Sequence, residues 1–252
     1  MASGNDKKSP SIIALHGFLG LPSDWDSVFT DDVAVEAVNL WPSTHKIYST
    51  NGFRDWCRLF LDEVGVRSPK PVLLGYSMGG RLAMHAALKA PERWTGAIIV
   101  SAHPGLKSFQ ERQARMMNDQ DWVRRFLNEP WLDVLRAWNS QAVLQAPPPE
   151  KAPEAIPLKP RLERDFDRQA LALAMQFWSL GNQEDLRERL LNLPIPVLYV
   201  TGELDTKFTS LIRELHLPAH HRHEIVAGAG HRVPWDQPRV FRELVRKFCL
   251  GI

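Results

Sequence analysis

Cysteine is nearly absent from this chain: Cys57 and Cys249 are the only two in 252 residues. Two thiols so far apart build neither a disulfide framework nor a zinc site of paired thiolates. Both fall within helical patterns, where buried free thiols are common. An excess of charge is missing too. Lys and Arg number 31 against 29 Asp and Glu, a formal net charge of +2, and no Lys/Arg block marks a nucleic-acid surface. No apolar run is long enough to span a bilayer. Residues 1–10 are polar and lack the apolar segment of a secretory signal. These absences point to a cytoplasmic protein of a reducing compartment, with no nucleic-acid or membrane partner, and leave the oligomeric state open. The length suits one α/β domain with an insertion and is enough to bury a substantial core.

What is present is concentrated in a few short stretches. Gly75-Tyr76-Ser77-Met78-Gly79 fits G-x-S-x-G, with an apolar run before it (Pro71-Val72-Leu73-Leu74) and a helix-forming run after it. Strand, tight turn and helix are the context in which such a serine is held strained and exposed, the glycines letting strand and helix pass closely. A serine hydroxyl is a weak nucleophile or base at neutral pH; it needs an imidazole to take its proton and a carboxylate to orient that imidazole.

Both partners follow in the order Ser, acid, His. The apolar run 196–200 leads into Thr201-Gly202-Glu203-Leu204-Asp205, and Glu224-Ile225-Val226 leads into Ala227-Gly228-Ala229-Gly230-His231. Asp205 sits just past a strand end, and His231 ends a glycine-rich loop. Glu203 lies inside the turn and is the weaker acid candidate. His220, His221 and His223 read as solvated, His103 could line the site, and Asp236 reads as a helix N-cap. Upstream, the buried strand at 11–15 runs into His16-Gly17-Phe18-Leu19-Gly20. The turn after that strand and the residue after the serine supply backbone N–H groups to an oxyanion hole, which assigns the Phe18 and Met78 amides and leaves His16 structural.

Strand patterns at 11–15, 33–38, 72–75, 96–101, 197–201 and 223–226 alternate with helical patterns at 52–64, 79–89, around Leu211 and at 239–248. That alternation predicts an α/β fold: a mostly parallel central sheet with helices on both faces. Residues 104–192 interrupt it with helical patterns at 110–127, 130–141 and 162–180 and a proline-rich connector at 146–160. The expected organisation is therefore a core of 1–103 and 193–252, with 104–192 inserted as a helical cap or lid over the serine.

These stretches resemble the α/β-hydrolase superfamily. From about Ile13 to Val245 the chain is similar to the 2-succinyl-6-hydroxy-2,4-cyclohexadiene-1-carboxylate synthase family of the menaquinone and phylloquinone pathway. The more specific stretches are the elbow with Arg81, His103-Pro104-Gly105-Leu106, Glu111-Arg112, Asp121-Trp122-Val123-Arg124-Arg125-Phe126 and Asp205-Thr206-Lys207-Phe208. The chain departs from the family at Asn39-Leu40-Trp41-Pro42-Ser43-Thr44-His45, where many members carry Leu-Pro-Gly-His-Gly, and at Lys107, where a glutamine is usual.

The resemblance implies a lyase that needs no metal or cofactor. It would eliminate pyruvate from an anionic enolpyruvyl cyclohexene, with Ser77, His231 and Asp205 removing a proton alpha to a carbonyl. It also implies substrate contacts from Tyr76, Arg81, Arg112, Trp138 and Lys207, and a second arginine among Arg161, Arg164 and Arg168. Arginines suit carboxylates because the planar fork binds them bidentately. The alternative is a carboxylic ester or thioester hydrolase working through an acyl-enzyme on Ser77. A non-catalytic binding protein would be expected to have lost a triad member, and none is missing.

Overall fold

The four central strands of the sheet alternate between two buried faces, and that alternation organises the fold. In the computed structural model, which describes residues 11–29, 33–41, 52–145, 161 and 166–252, six strands form one sheet. They are β1 (Ile12–Leu15), β2 (Val35–Val38), β3 (Val72–Tyr76), β4 (Gly96–Val100), β5 (Val197–Gly202) and β6 (His221–Val226). Their order is β2-β1-β3-β4-β5-β6, and every neighbouring pair is parallel. Ile13, Leu15, Leu73, Ile99 and Tyr199 face one hydrophobic cluster; Ile12, Ala14, Leu74, Ile98 and Val200 face the other. Parallel strands buried on both faces read as continuous apolar runs, which is why they stood out in the sequence. The first strands begin a residue or two later than their patterns suggested, and β6 begins two residues earlier, at His221.

The first cluster is covered by α1 (Phe53–Val64) and α2 (Met78–Lys89). The second is closed by α9 (Pro238–Leu250), through Phe241, Val245 and Phe248. Between β4 and β5 lie α3 (Phe109–Asn128), α4 (Trp131–Asn139), α5 (Arg168–Phe177) and the short α6 (Arg187–Leu191). α3 starts at a reciprocal cap: Ser108 Oγ accepts from the Glu111 amide at 3.1 Å and Glu111 accepts from the Ser108 amide at 3.0 Å. The inserted helices share the first cluster rather than building a core of their own: Trp122, Phe126, Val134 and Leu135 pack in the same cluster as Leu15 and Leu73. α7 (Thr206–Arg213) and α8 (Val233–Asp236) complete the described elements. Among the described residues no helix is long and apolar enough to cross a membrane. The proline-rich connector 146–160, the stretch 42–45 and Arg164 lie outside the described residues.

Two expectations are corrected here. Asp236 does not cap α9, whose N-cap is Gln237; it is a buried carboxylate that accepts the Gly230 amide at 2.9 Å. His221 is not solvated. It is buried at the start of β6, bonded through Nε2 to the Leu190 carbonyl at 2.9 Å. His220 is exposed, as expected, with Nε2 on the Leu193 carbonyl at 3.0 Å, and His223 is half-buried on the Thr201 hydroxyl.

Candidate active site

Ser77 sits between β3 and α2 with φ +53° and ψ −111°, a left-handed conformation that L-residues other than glycine seldom adopt. Strain of this kind is worth about 1–3 kcal/mol and persists only where the surroundings impose it. Here the glycines on either side impose it. A Cβ on Gly75 would meet Ala83 at 2.7 Å and run into the Gly79 carbonyl oxygen, and one on Gly79 would run into the Leu15 and His16 carbonyls. Strand and helix therefore pass at backbone contact, and the serine at the bend is pushed out. Leu19 and Ser101 also carry positive φ, and both line the cavities around Ser77.

The triad is assembled. Ser77 Oγ lies 3.0 Å from His231 Nε2, and His231 Nδ1 lies 2.8 Å from Asp205 Oδ2. Nδ1 facing a carboxylate makes it the protonated nitrogen and leaves Nε2 as the acceptor for the serine proton. Glu203 is exposed and is occupied instead by the Gly228 amide at 2.9 Å, so Asp205 alone orients the base. The His231 ring is buried between Phe208 (centroids 4.7 Å) and Tyr76 (5.6 Å). The Asp236–Gly230 bond pins the loop immediately before it.

Burial pushes the Asp236 carboxyl up to about 6 from the usual 3.8. The folded state thus holds this proton more tightly than the unfolded chain between those two values, and stability is lost as pH rises through that window. Asp236→Asn keeps an oxygen for the Gly230 amide and removes the titration. The melting-temperature gain of the variant over the parent is expected to grow from pH 4 to pH 7; a constant difference would show that Asp236 is already ionised at pH 4.

Met78 is the first residue of α2, so its amide is among the donors that helix geometry leaves unpaired. Phe18 lies in the turn after β1, and both line the same cavity as Ser77. His16 is structural as expected: Nδ1 bonds the Gly17 carbonyl at 2.8 Å and Nε2 accepts from the Leu40 amide at 3.1 Å.

Two cavities meet at Ser77, sharing Phe18 and Trp138 as common walls. Trp138 comes from α4 and packs on Phe18 with ring centroids 4.8 Å apart. On one side are Arg81, Arg115, Ser101 and His103. Arg81 is buried; its guanidinium donates to the Trp178 carbonyl at 2.7 Å and reaches Gln183 Oε1 at 3.5 Å. Among the described residues no carboxylate pairs with it. Burial, with Arg115 nearby, pushes Arg81 down to about 9, so it is a desolvated cation at neutral pH. Arg115, by contrast, is held on the buried Asp119 at 2.8 Å. His103 is neutral, pushed down to about 3 by burial and nearby cations; its Nδ1 accepts the Gly105 amide at 3.1 Å, which leaves Nε2 as a donor. The Ser101 hydroxyl is buried with no hydrogen-bond partner among the described residues.

On the other side are Arg161, Arg232, Tyr76 and Trp235. Arg161 bonds the Leu19 carbonyl at 2.9 Å and Asp24 at 2.6 Å. Arg232 donates to Asn139 Oδ1 and lies beside the Tyr76 hydroxyl. Burial raises the Tyr76 phenol further, so it stays protonated and keeps its own O–H to donate.

The predicted contacts fall unevenly on this geometry. Tyr76, Arg81 and Trp138 line the cavities; Arg112 and Lys207 are on the walls of neither. Arg112 is half-buried one turn before Arg115, and it is Arg115 that α3 turns inward. Lys207 is exposed, its ammonium 5.9 Å from the Phe208 ring. Of the candidates for a second inserted arginine, Arg161 lines a cavity at Ser77, while Arg168 lies over Trp131. Arg115, Arg161, Arg232 and Ser101 carried no local motif of their own. Two larger clefts, of about 580 and 600 Å³, lie away from Ser77. The first is lined by Cys57, held up near 12, and His85, held down near 3, so it offers no activated nucleophile.

A parallel sheet with a strained serine on its elbow, a histidine and acid on later strand ends and paired backbone donors defines a class. The α/β hydrolase family model matches residues 12–244, and the chain belongs to that family. Within it, the chain is 32% identical over 241 residues to the 2-succinyl-6-hydroxy-2,4-cyclohexadiene-1-carboxylate synthase of Citrobacter koseri, covering 94% of this chain and 92% of the relative. It thus belongs with the 2-succinyl-6-hydroxy-2,4-cyclohexadiene-1-carboxylate synthases. Among solved structures, MenH from S. aureus matches with a TM-score of 0.86 at 21% identity, over 99% of this chain and 97% of that one. A thermophilic esterase from Thermogutta terrifontis matches at 0.67 and 18% identity, over 96% and 90%. At those identities the structures share the fold, and the fold alone does not choose between elimination and ester hydrolysis.

Proposed function

We propose that this chain is a carbon–oxygen lyase of menaquinone or phylloquinone biosynthesis. It converts 2-succinyl-5-enolpyruvyl-6-hydroxy-3-cyclohexene-1-carboxylate to 2-succinyl-6-hydroxy-2,4-cyclohexadiene-1-carboxylate and pyruvate. The observation that carries this reading is the placing of the Ser77–His231–Asp205 chain between two cavities, one with Arg81 and Arg115 and the other with Arg161. The substrate carries three carboxylates around a ring, so cations are needed on more than one side of the reacting carbon. A hydrolase for neutral esters has no use for a buried, unpaired guanidinium.

In the reaction, His231 Nε2 draws the Ser77 proton while Ser77 Oγ takes the ring proton alpha to the succinyl carbonyl. The C–H pair becomes the 2,3-double bond, the 3,4-double bond shifts to 4,5, and the C5–O bond breaks. The enolpyruvate that leaves is protonated to pyruvate. The succinyl carbonyl is the electron sink, which is why neither metal nor cofactor is required. Charge on its oxygen is met by the Phe18 and Met78 amides. Two buried free thiols suit the cytosol.

Supplying the enolpyruvyl substrate and following pyruvate, with p-nitrophenyl acetate as the ester control, tests the assignment. Rapid pyruvate release with slow ester turnover supports the lyase. Fast ester turnover with no pyruvate identifies a hydrolase whose arginines select another acid.

A further inference from the structure

We propose that Arg232, the residue directly after the catalytic histidine, binds a carboxylate of the substrate in the cavity opposite Arg81, and through its bond to Asn139 ties α4 to the loop that carries His231.

Its backbone is fixed by the start of α8, where the Trp235 and Asp236 amides both donate to the Arg232 carbonyl at 2.9 Å. From that point the side chain reaches the walls of the Ser77 cavity and is buried there. Its guanidinium donates to a neutral group, the Asn139 amide oxygen, and the Tyr76 hydroxyl beside it is neutral too. The two carboxylates that feel its charge are otherwise engaged: Asp24 holds Arg161 at 2.6 Å and the Leu21 amide at 2.8 Å, and Asp236 holds the Gly230 amide. Of the two buried guanidiniums on this side, Arg161 is paired directly with a carboxylate, and among the described residues Arg232 is not. Burying a cation against neutral groups alone is unfavourable. A guanidinium has five N–H donors, and these contacts leave some of them for a ligand.

The neighbours suit a carboxylate on a short apolar arm. Trp138 and Trp235 line the same cavity, with Trp235 Nε1 donating to the Asp24 carbonyl at 3.0 Å. A molecule with carboxylates at two ends would then lie across Ser77, one end on Arg81 and the other on Arg232. Because Asn139 is the last residue of α4, occupation of Arg232 links the inserted helices to the loop that carries the base.

The inference rests on the proposed polycarboxylate substrate, so its test has an arm free of that assumption. Parent, Arg232→Gln and Arg232→Lys are compared for pyruvate-release kinetics and for succinate binding, read from tryptophan fluorescence. The expected result is a KM raised about 10- to 100-fold in Arg232→Gln with kcat changed much less, succinate binding weakened in parallel, and partial recovery in Arg232→Lys. Unchanged KM and unchanged succinate binding in a folded Arg232→Gln overturn the proposal, and a lowered melting temperature alone would make Arg232 a structural strut. Should Arg232→Gln fail to fold, Arg232→Lys with parent KM and parent succinate affinity overturns it equally. If the parent releases no pyruvate but binds succinate in an Arg232-dependent way, the substrate assignment falls and the carboxylate site stands.

Discussion

Ser77→Ala is expected to lower kcat for pyruvate release by about 10³–10⁴, the span attributed to a positioned proton-transfer group and its partners, with KM little changed. The hydroxyl is the one atom placed both 3.0 Å from the base and at the junction of the two cavities, so nothing else can relay the ring proton to His231. His231→Ala should lose about as much, and the double variant hardly more, because the two groups act as a unit. The strain at this position adds a stability signature. Ser77→Gly relieves the positive φ and should melt higher than Ser77→Ala, while being equally inactive. Steady-state pyruvate assays and thermal melts read both effects. Retention of more than a tenth of parental kcat in Ser77→Ala would mean that the hydroxyl takes no part in the proton transfer.

Arg81→Met is expected to lower kcat/KM about 30- to 1,000-fold, corresponding to about 2–4 kcal/mol for losing the cation that faces a buried carboxylate. Arg81→Lys should recover only part of this, since a point charge replaces a planar fork. Stability is expected to move the other way or not at all. Arg81 is buried, is pushed down to about 9 and is bonded to a backbone carbonyl and an amide oxygen rather than to a carboxylate. Removing it leaves the Trp178 carbonyl short of a donor, at about 1–3 kcal/mol. It also removes a desolvation cost of several kcal/mol that no ion pair among the described residues offsets. An Arg81→Met protein that is inactive and at least as stable as the parent would identify Arg81 as a cation kept for a ligand. One that unfolds would identify it as part of the core.

The parts of this site that lie at the ends of strands were legible in the sequence. The four central strands, β1, β3, β4 and β5, are buried on both faces and read as apolar runs, and each triad residue follows a strand within a short, glycine-marked turn. Order along the chain was then enough to choose Ser77, Asp205 and His231, and the strain that G-x-S-x-G requires is present at Ser77. What could not be read was helix phase and long-range pairing. Arg112 and Arg115 are three residues apart on α3, about 60° apart around its axis, and only packing against α5 and the buried Asp119 decides which one turns inward. Asp236 precedes an amphipathic helix and so looks like a cap, yet a tertiary contact with Gly230 claims it. His221 lies in a polar run but starts β6, where pairing with Val197 buries it. Arg161 and Arg232 reach Ser77 only because chain segments distant in sequence converge, and no local pattern marks them.

The most direct test of the account is the pre-steady-state release of pyruvate from substrate deuterated at the ring carbon alpha to the succinyl carbonyl, with intact-protein mass recorded during turnover. The account predicts that deuterium slows pyruvate release and that the protein mass stays unchanged. Release insensitive to deuterium, with a mass increase that Ser77→Ala abolishes, would contradict it and establish an acyl-enzyme instead.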